Sequence, residues 1–476
     1  MSKKIALKGF IFTFLQQVGS QIIGFVLLVV LGRLLEPKDF GLIGMVALLF
    51  TISNVLIDAG LGQSLLRNSK SDDYHFSVIF TYNAIIGFLL YSILFLIAPF
   101  ISYFYNEPEL TIIVRILGIS VIIGSLSSIQ QVHLIKTLNF KKLSYLSLIS
   151  SVIGAAIGIG MAYYGFGIWS LIFTTLSGQV LLLILLWCFS GWKPKKLVLD
   201  RGVFSLHFNF GFSLMLTNLI DAFSRNIYNV ILGKKYNPEV VSYYYRSDSF
   251  RHIIVMSLIT ATNKVSYPLL ASIQENKTLF AESYKKVILI LSFVVTPILI
   301  YCYFFANDVI VFLLSEKWKG MTIYFQLICL SGLLYPLTSF NTNALSVIGK
   351  SNRVLQLALI NKSILITLAL VASFFEIKIL LLSYVLYGVV EYLITINYTK
   401  KELCYKPLYQ ILDYLPSLLT AITGGVISFL FIRMFDVGIL FRLIISFILF
   451  LSVYVLFNYL IKNKGFLYIL DLIRKK

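Results

Sequence analysis

Fourteen apolar runs, each about long enough to cross a bilayer, follow one another along this chain and leave no connecting segment longer than about twenty residues. The first six are 8–34, 39–66, 75–104, 109–132, 143–164 and 168–190. The next six are 203–232, 239–262, 283–305, 321–347, 352–374 and 378–398, and the last two are 412–433 and 437–462. A helix of ~20 apolar residues crosses ~30 Å of hydrocarbon, and in oil only a helix or a closed barrel satisfies its own backbone. The expected fold class is therefore an all-α integral membrane protein with about fourteen transmembrane helices and no separate soluble domain. Composition agrees: 58% of residues are apolar and 13% charged, against ~25% charged in soluble domains.

Basic residues test the count. With the N-terminus inside, the inner segments hold 26 Lys and Arg, from Lys3, Lys4 and Lys8 to Lys475 and Lys476, and the outer segments hold 9. Every inner loop contributes, and one missed span would scramble the alternation beyond it. Both ends are thus expected in the cytoplasm. The net charge of +19 is explained by these loops, so nucleic acid is not an expected partner. Basic residues precede an apolar stretch in Met1 to Phe10 with no small-residue cleavage site after it, which reads as the first span rather than a removable signal. Cys188, Cys302, Cys329 and Cys404 form neither a CxxC pair nor a Cys/His cluster, so no disulfide framework or metal site is expected.

The chain repeats itself. Leu31-Gly32-Arg33 precedes Pro37 as Leu232-Gly233-Lys234 precedes Pro238, an offset of 201 residues. The same offset sets Gln17 on Asn218, Ser20 on Asp221 and Gly24 on Arg225. Both first spans run from inside to outside, so the halves are parallel repeats about an axis along the membrane normal. The expected organisation is a six-helix lobe over 1–200, a second over 201–402, and two additional helices with a tail over 403–476.

Charges inside spans narrow the function. An ionised group at the bilayer centre costs at least ~2.5–3.5 kcal/mol on insertion scales, so it should face a hydrated space or a partner. Asn218, Asp221, Arg225 and Asn229 lie at spacings of 3, 4 and 4 on one helical face of span 7, and Asp221 and Arg225 stand at i,i+4. Span 8 carries Arg246, Asp248 and Arg251; Lys362 lies near the middle of span 11, Glu391 in span 12, Arg115 in span 4 and Asp58 near the inner end of span 2. Span 1 offers Gln17 and Ser20 instead of charges. One reading is a hydrated, mostly cationic central cavity. There Arg225, Arg251, Lys362, Arg246 and Arg115 would bind an anionic group. Asp221, Asp248, Glu391 and Asp58 would pair with the cations or carry coupling ions, beside the polar Gln17, Ser20, Asn218 and Asn229. The competing reading is structural ion pairs, with Arg115 and Arg246 reaching the outer interface.

The sequence holds no GxxxxGK[ST] phosphate loop and no nucleophile–base pattern, so neither an enzyme nor a self-contained ATP-driven pump is expected. The histidines His75, His133, His207 and His252 read as scattered near span ends. The run Tyr243 to Tyr245 reads as part of an interfacial aromatic belt, with sugar stacking as the alternative.

Several stretches together resemble a known family: Leu31 to Gly41 (LGRLLEPKDFG), Asp58-Ala59-Gly60-Leu61-Gly62, Leu138-Asn139-Phe140, Gly165 to Leu171 (GFGIWSL), Tyr267 to Ala271 (YPLLA), Glu316-Lys317-Trp318 and Ile348-Gly349-Lys350. In order and position they are similar to the polysaccharide-transport branch of the multidrug/oligosaccharidyl-lipid/polysaccharide flippase superfamily. That branch includes bacterial O-antigen and exopolysaccharide flippases. The resemblance implies two six-helix lobes plus two helices in the bacterial inner membrane, and alternating access. It implies as cargo an undecaprenyl-pyrophosphate-linked oligosaccharide, moved from the cytoplasmic to the periplasmic leaflet for O-antigen, capsule or exopolysaccharide. The partners would be that lipid-linked oligosaccharide, membrane lipids, and the polymerase and glycosyltransferases of the pathway. No cofactor is expected; coupling would be to H+ or Na+. Family members often carry an acid two residues after the Asn matching Asn226, where this chain has Tyr228, so no ion-coupling role carries over to that position. An ion-coupled multidrug exporter and a peptidoglycan-precursor flippase are the competing functions. The first would favour an acidic cavity, whereas these spans lean basic.

Overall fold

The computed structural model describes residues 3–403 and 405–474. The side chains of Lys3, Lys4 and Lys8, together with Cys404, Lys475 and Lys476, lie outside the described residues. Fourteen helical segments are long and apolar enough to cross a membrane, from Phe12–Leu34 to Ile439–Leu460, and each coincides with one apolar run read from the sequence. The protein is a multi-pass helical membrane protein, and its contacts divide it into two units, residues 1–242 and 243–476.

The first unit holds α1 (Lys3–Leu34), α2 (Pro37–Asp58), α3 (Leu61–Arg67), α4 (Asp73–Tyr105), α5 (Glu109–Leu117), α6 (Ile119–Lys136), α7 (Phe140–Tyr163), α8 (Ile168–Phe189) and α9 (Arg201–Lys235). It also holds the first turn of α10 (Pro238–Ser272). The repeat is visible here: α1 ends at Leu34 before Pro37, and α9 ends at Lys235 before Pro238. Proline fits a first helical turn, whose N–H groups have no intrahelical acceptor. Span 2 is broken into α2 and α3, with Ala59 (φ 40°) and Gly60 (φ 70°) in the left-handed region. The broken backbone is buried against α9, as irregular backbone at membrane depth must be. A Cβ on Gly60 would lie 2.6 Å from Gly211 Cα, and one on Gly211 would collide with the Ala59 carbonyl, so both positions need glycine. Asp58 accepts the N–H groups of Gly60 and Gly62 and thereby caps α3. Lys136 closes the other end of α3, donating to the carbonyls of Leu65 (2.9 Å), Asn68 (2.9 Å) and Ser71 (3.0 Å).

The hairpin α7–α8 packs through small residues. A Cβ on Gly154 would sit 2.9 Å from Gly178 Cα, and one on Gly158 would collide with Thr174. Lipid supplies no hydrophobic drive between helices, so close backbone approach of this kind holds them. Asp200 starts α9, accepting from Gly202 N–H (2.8 Å), Val203 N–H (3.1 Å) and the Tyr74 hydroxyl (2.9 Å). These donors, Val203 first, hold its carboxyl below the usual range.

The second unit holds the rest of α10 and α11 (Lys277–Phe304), α12 (Ala306–Leu314), a 3₁₀ turn (Glu316–Met321), α13 (Thr322–Ser331) and α14 (Tyr335–Val347). It continues with α15 (Ser351–Ala372), α16 (Ile377–Thr399), α17 (Pro407–Ile432), α18 (Ile439–Leu460) and α19 (Lys464–Arg474). Helix α11 is its axis, packed by α13, α14, α17 and α19. A buried, uncharged network ties four spans together. Asn341 accepts from Tyr284 (2.6 Å), Thr399 (3.2 Å) and Gln410 Nε2 (3.2 Å) and donates to Gln410 Oε1 (3.1 Å). The short helix α19, absent from the sequence reading, is fastened to α17 by Asp413, which accepts from Lys464 (2.8 Å), Lys285 (2.5 Å) and Tyr405 (2.6 Å).

Candidate functional site

The charged residues of the spans fall into distinct environments. In the first unit, Arg225 donates through Nε to Asp221 Oδ2 at 2.7 Å, and the Arg225 side chain is 63% exposed. It lies ten residues, about 15 Å, from the end of α9 at Lys235. Asn218, one turn before Asp221, is exposed as well. Asn229 is not: it is 4% exposed, with its Nδ2 3.5 Å from Asn226 Oδ1. The spacing puts Asn229 on the same stripe, but this end of α9 enters the core, where Gly233 lies against Met45 and Tyr105. Ser20 is exposed and Gln17 half-buried on α1. Arg115 turns onto α4 instead, with its guanidinium 4.3 Å from the centre of the Phe95 ring and Nε 3.4 Å from the Phe95 carbonyl.

In the second unit, four of the singled-out residues come together. Arg251 donates to Asp248 Oδ1 through Nε (3.1 Å) and Nη2 (2.6 Å), and through Nη2 to the Tyr384 hydroxyl (3.1 Å). Its guanidinium lies 5.7 Å from the Tyr384 ring and 6.0 Å from the Tyr335 ring, and 13% of the side chain is exposed. Glu391 accepts from Tyr387 and lies in the field of both Arg251 and Lys362. Lys362 is half-buried at the middle of α15. Arg246 is half-buried on α10, five residues before Arg251 and therefore off its face. Cations, acids and phenols here lie within hydrogen-bonding and Coulombic reach of one another.

Two readings need correction. The tyrosines of the Tyr243–Tyr245 run are not all interfacial: Tyr243 (9% exposed) packs on Trp318 and Tyr324, and Tyr244 (3%) on Tyr384. Nor are all the histidines scattered: His75 and His207 meet edge to face at 5.6 Å, whereas His133 stacks on Trp192 at 5.9 Å. His207 Nδ1 lies 2.8 Å from Ser64 Oγ, and His75 Nδ1 lies 2.7 Å from Asp72. The His75 hydrogen bond is the main cause that holds the Asp72 carboxyl below its usual range. Among the described residues no group of three or more His, Cys, Asp and Glu could hold a metal ion.

A family profile described as "Polysaccharide biosynthesis protein" matches residues 30–323. The chain belongs to this family. That places it in the polysaccharide-transport branch of the flippase superfamily its motifs resemble. It is 25% identical over 63% of its length to the teichuronic acid biosynthesis protein TuaB of Bacillus subtilis, covering 62% of that protein. It is 20% identical over 66% of its length to the lipopolysaccharide biosynthesis protein WzxC of Escherichia coli, covering 64%. With the succinoglycan biosynthesis transport protein ExoT of Rhizobium meliloti the figures are 21%, 68% and 66%. The matches thus span a little under two thirds of these relatives' own lengths. In fold, the chain is similar to the lipid II flippase MurJ in an inward closed conformation, with a TM-score of 0.75 at 14% identity over 95% of this chain and 98% of that one. An inward-facing MATE multidrug transporter matches at a TM-score of 0.61 and 14% identity, over 80% and 95%.

Proposed function

We propose that this protein is a flippase. It moves an undecaprenyl-pyrophosphate-linked oligosaccharide repeat unit from the cytoplasmic to the outer leaflet of the bacterial inner membrane, by alternating access and with both chain ends cytoplasmic. The observation that carries this reading is Arg225, a guanidinium 63% exposed within a membrane-spanning helix and held by a single carboxylate. Facing lipid it would cost at least ~2.5–3.5 kcal/mol, so its surroundings are water and an anion. A pyrophosphate is such an anion, and the forked guanidinium matches its oxygens. The polyprenyl tail has no need to leave lipid. Arg251 and Lys362 are the corresponding cations of the second unit. Asp221, Asp248 and Glu391 hold the cations while cargo is absent, and an H+ or Na+ gradient acts through these acids. The names of TuaB, WzxC and ExoT, each given for biosynthesis of a surface polymer, support a glycan cargo, supplied by glycosyltransferases and consumed by a polymerase.

The test is purified protein in liposomes with a fluorescent lipid-linked oligosaccharide, scored for arrival in the opposite leaflet with and without a pH or Na+ gradient. Lipid II and a cationic dye serve as competing cargos. Movement of the oligosaccharide lipid, lost in Arg225→Gln, is expected. Movement of the dye alone would make the protein a drug exporter, and movement of lipid II alone a peptidoglycan-precursor flippase.

A further inference from the structure

The first unit also holds a half-open cavity of about 260 Å³ between α2, α6 and α8. Six hydrogen-bonding side chains line it: Asn54 and Asp58 from α2, Ser127, Ser128 and Gln131 from α6, and Gln179 from α8. No base is among them, and Asp58 makes no ion pair among the described residues. Polar side chains in a membrane-spanning bundle are costly unless they are satisfied, and these are only partly so. Asp58 is oriented by the Gly60 and Gly62 amides. Ser127 donates to the Gly124 carbonyl (3.2 Å). Ser128 receives the Asn83 amide (3.2 Å) and donates to the Ser125 carbonyl (3.3 Å). Gln179 Oε1 is buried with no hydrogen-bond partner among the described residues.

We propose that this cavity is a subsite for one neutral pyranose ring of the transported oligosaccharide, an assignment that rests on the flippase reading above. Volume decides between a sugar and an ion. Oxygen ligands close on a hard cation at about 2–2.6 Å, whereas this space equals roughly nine water volumes at about 30 Å³ each. A pyranose with its hydroxyls displaces roughly six water volumes, ~180 Å³, and fits with room for bridging waters. The lining chemistry agrees. Two glutamines, an asparagine, two hydroxyls and a carboxylate mix donors and acceptors as sugar hydroxyls do. Charge sets specificity, because Asp58 without a balancing cation repels a uronate or a phosphorylated sugar. The pyrophosphate is left to the cationic side chains, Arg225 in this unit, and the sugar to these polar groups.

Gly124 gives a clean probe. A Cβ there meets only Asn54 Oδ1, at 3.7 Å, so Gly124→Ala folds, and Gly124→Leu fills the cavity while leaving all six polar groups in place. Saturation-transfer NMR would be run on protein in nanodiscs free of glycolipid and sugar detergent, with methyl hexosides and methyl glucuronoside as probes. At least one neutral hexoside should bind the wild type and Gly124→Ala. Its signal should fall about tenfold in Gly124→Leu and Gln179→Leu, and the glucuronoside should give none. The subsite is overturned if no neutral hexoside binds the wild type, if Gly124→Leu binds as well as wild type, if the glucuronoside binds equally, or if Na+ alone binds and Asp58→Asn abolishes it. The liposome assay separates the two claims. Wild-type flipping with an unchanged rate in Gly124→Leu would remove the subsite and leave the flippase. Hexoside binding without any flipping would remove the flippase and leave a sugar site.

Discussion

Removing Arg225 and removing Arg251 should differ sharply in their effect on stability, and that contrast separates binding groups from scaffold. The Arg225–Asp221 pair is one hydrogen bond at i,i+4, with side chains 63% and 32% exposed. Pairs of this kind contribute about 0.2–1 kcal/mol, so Arg225→Gln should leave the protein within about 1 kcal/mol of wild type. Arg251 is different. It makes three hydrogen bonds, rests against two tyrosine rings and is 13% exposed. Breaking such a pair leaves Asp248 without its cation. The usual cost is about 3–5 kcal/mol, reduced here towards about 3 because Asp248 keeps some access to solvent. At about 1.4 kcal/mol per factor of ten that is roughly a 150-fold loss in the folded ratio. Arg251→Lys keeps the charge but not the fork and should fall between. Reversible unfolding in detergent reads the stability, and flipping per folded molecule reads the function. The expected result is Arg225→Gln folded and inactive, and Arg251→Gln unstable. Wild-type flipping by Arg225→Gln at normal abundance would refute the anion-binding role of the exposed guanidinium. Wild-type stability of Arg251→Gln would refute the burial argument.

Four further outcomes follow from the packing. Asn341→Leu strands the Tyr284, Thr399 and Gln410 side chains in a dry interior, so unfolding should be easier by about 3 kcal/mol or more, read by the same denaturation. Gly158→Leu should separate α7 from α8 and abolish membrane accumulation on immunoblots, since even modest overpacking costs about 1–3 kcal/mol. Lys136→Met frees three carbonyls at the end of α3 and should cost about 2 kcal/mol. Asp200→Ala should lower the melting temperature at neutral pH. Because hydrogen bonds hold the Asp200 carboxyl below its unfolded value of about 3.9, the contribution is present above that pH and lost as pH falls through the folded value. The wild-type and variant melting curves should therefore converge only in strong acid.

Much of the architecture was legible because the bilayer imposes one period and one length on every span. The apolar runs mark fourteen helices, and Pro37 and Pro238 mark equivalent starts in the two halves. Interruptions within spans were not legible. Ala59–Gly60 lies inside one apolar run, and only the backbone geometry shows the chain breaking there. The histidine pair was missed for a related reason. His75 and His207 come from two helices, and no local pattern encodes a meeting at that separation in sequence. The cavity beside Asp58 left a trace, since Ser127, Ser128 and Gln131 are dense polar residues within a span. Of their partners, Asp58 stood out as a charge within a span, whereas Asn54 and Gln179 had no such mark.

The five basic residues singled out within the spans show what spacing leaves open. Arg225 follows its acid by four residues and Arg251 by three, and on a bare helix the two pairs are equivalent. In the folded chain one is mostly exposed and the other mostly sealed, because small or polar neighbours surround Arg225 on α9 whereas Tyr335 and Tyr384 close over Arg251. Arg115 lies on Phe95 and one α4 carbonyl, and nothing in its own helix names that partner. A cation's availability to cargo is therefore fixed by the aromatic side chains that neighbouring helices bring to it. Replacing Tyr384 by Phe, which removes one donor–acceptor from Arg251 but keeps the ring, should leave the protein folded. It should tighten pyrophosphate-lipid binding, because one competing oxygen is gone; unchanged or weaker binding in a titration with the lipid-linked oligosaccharide would count against Arg251 as a cargo ligand.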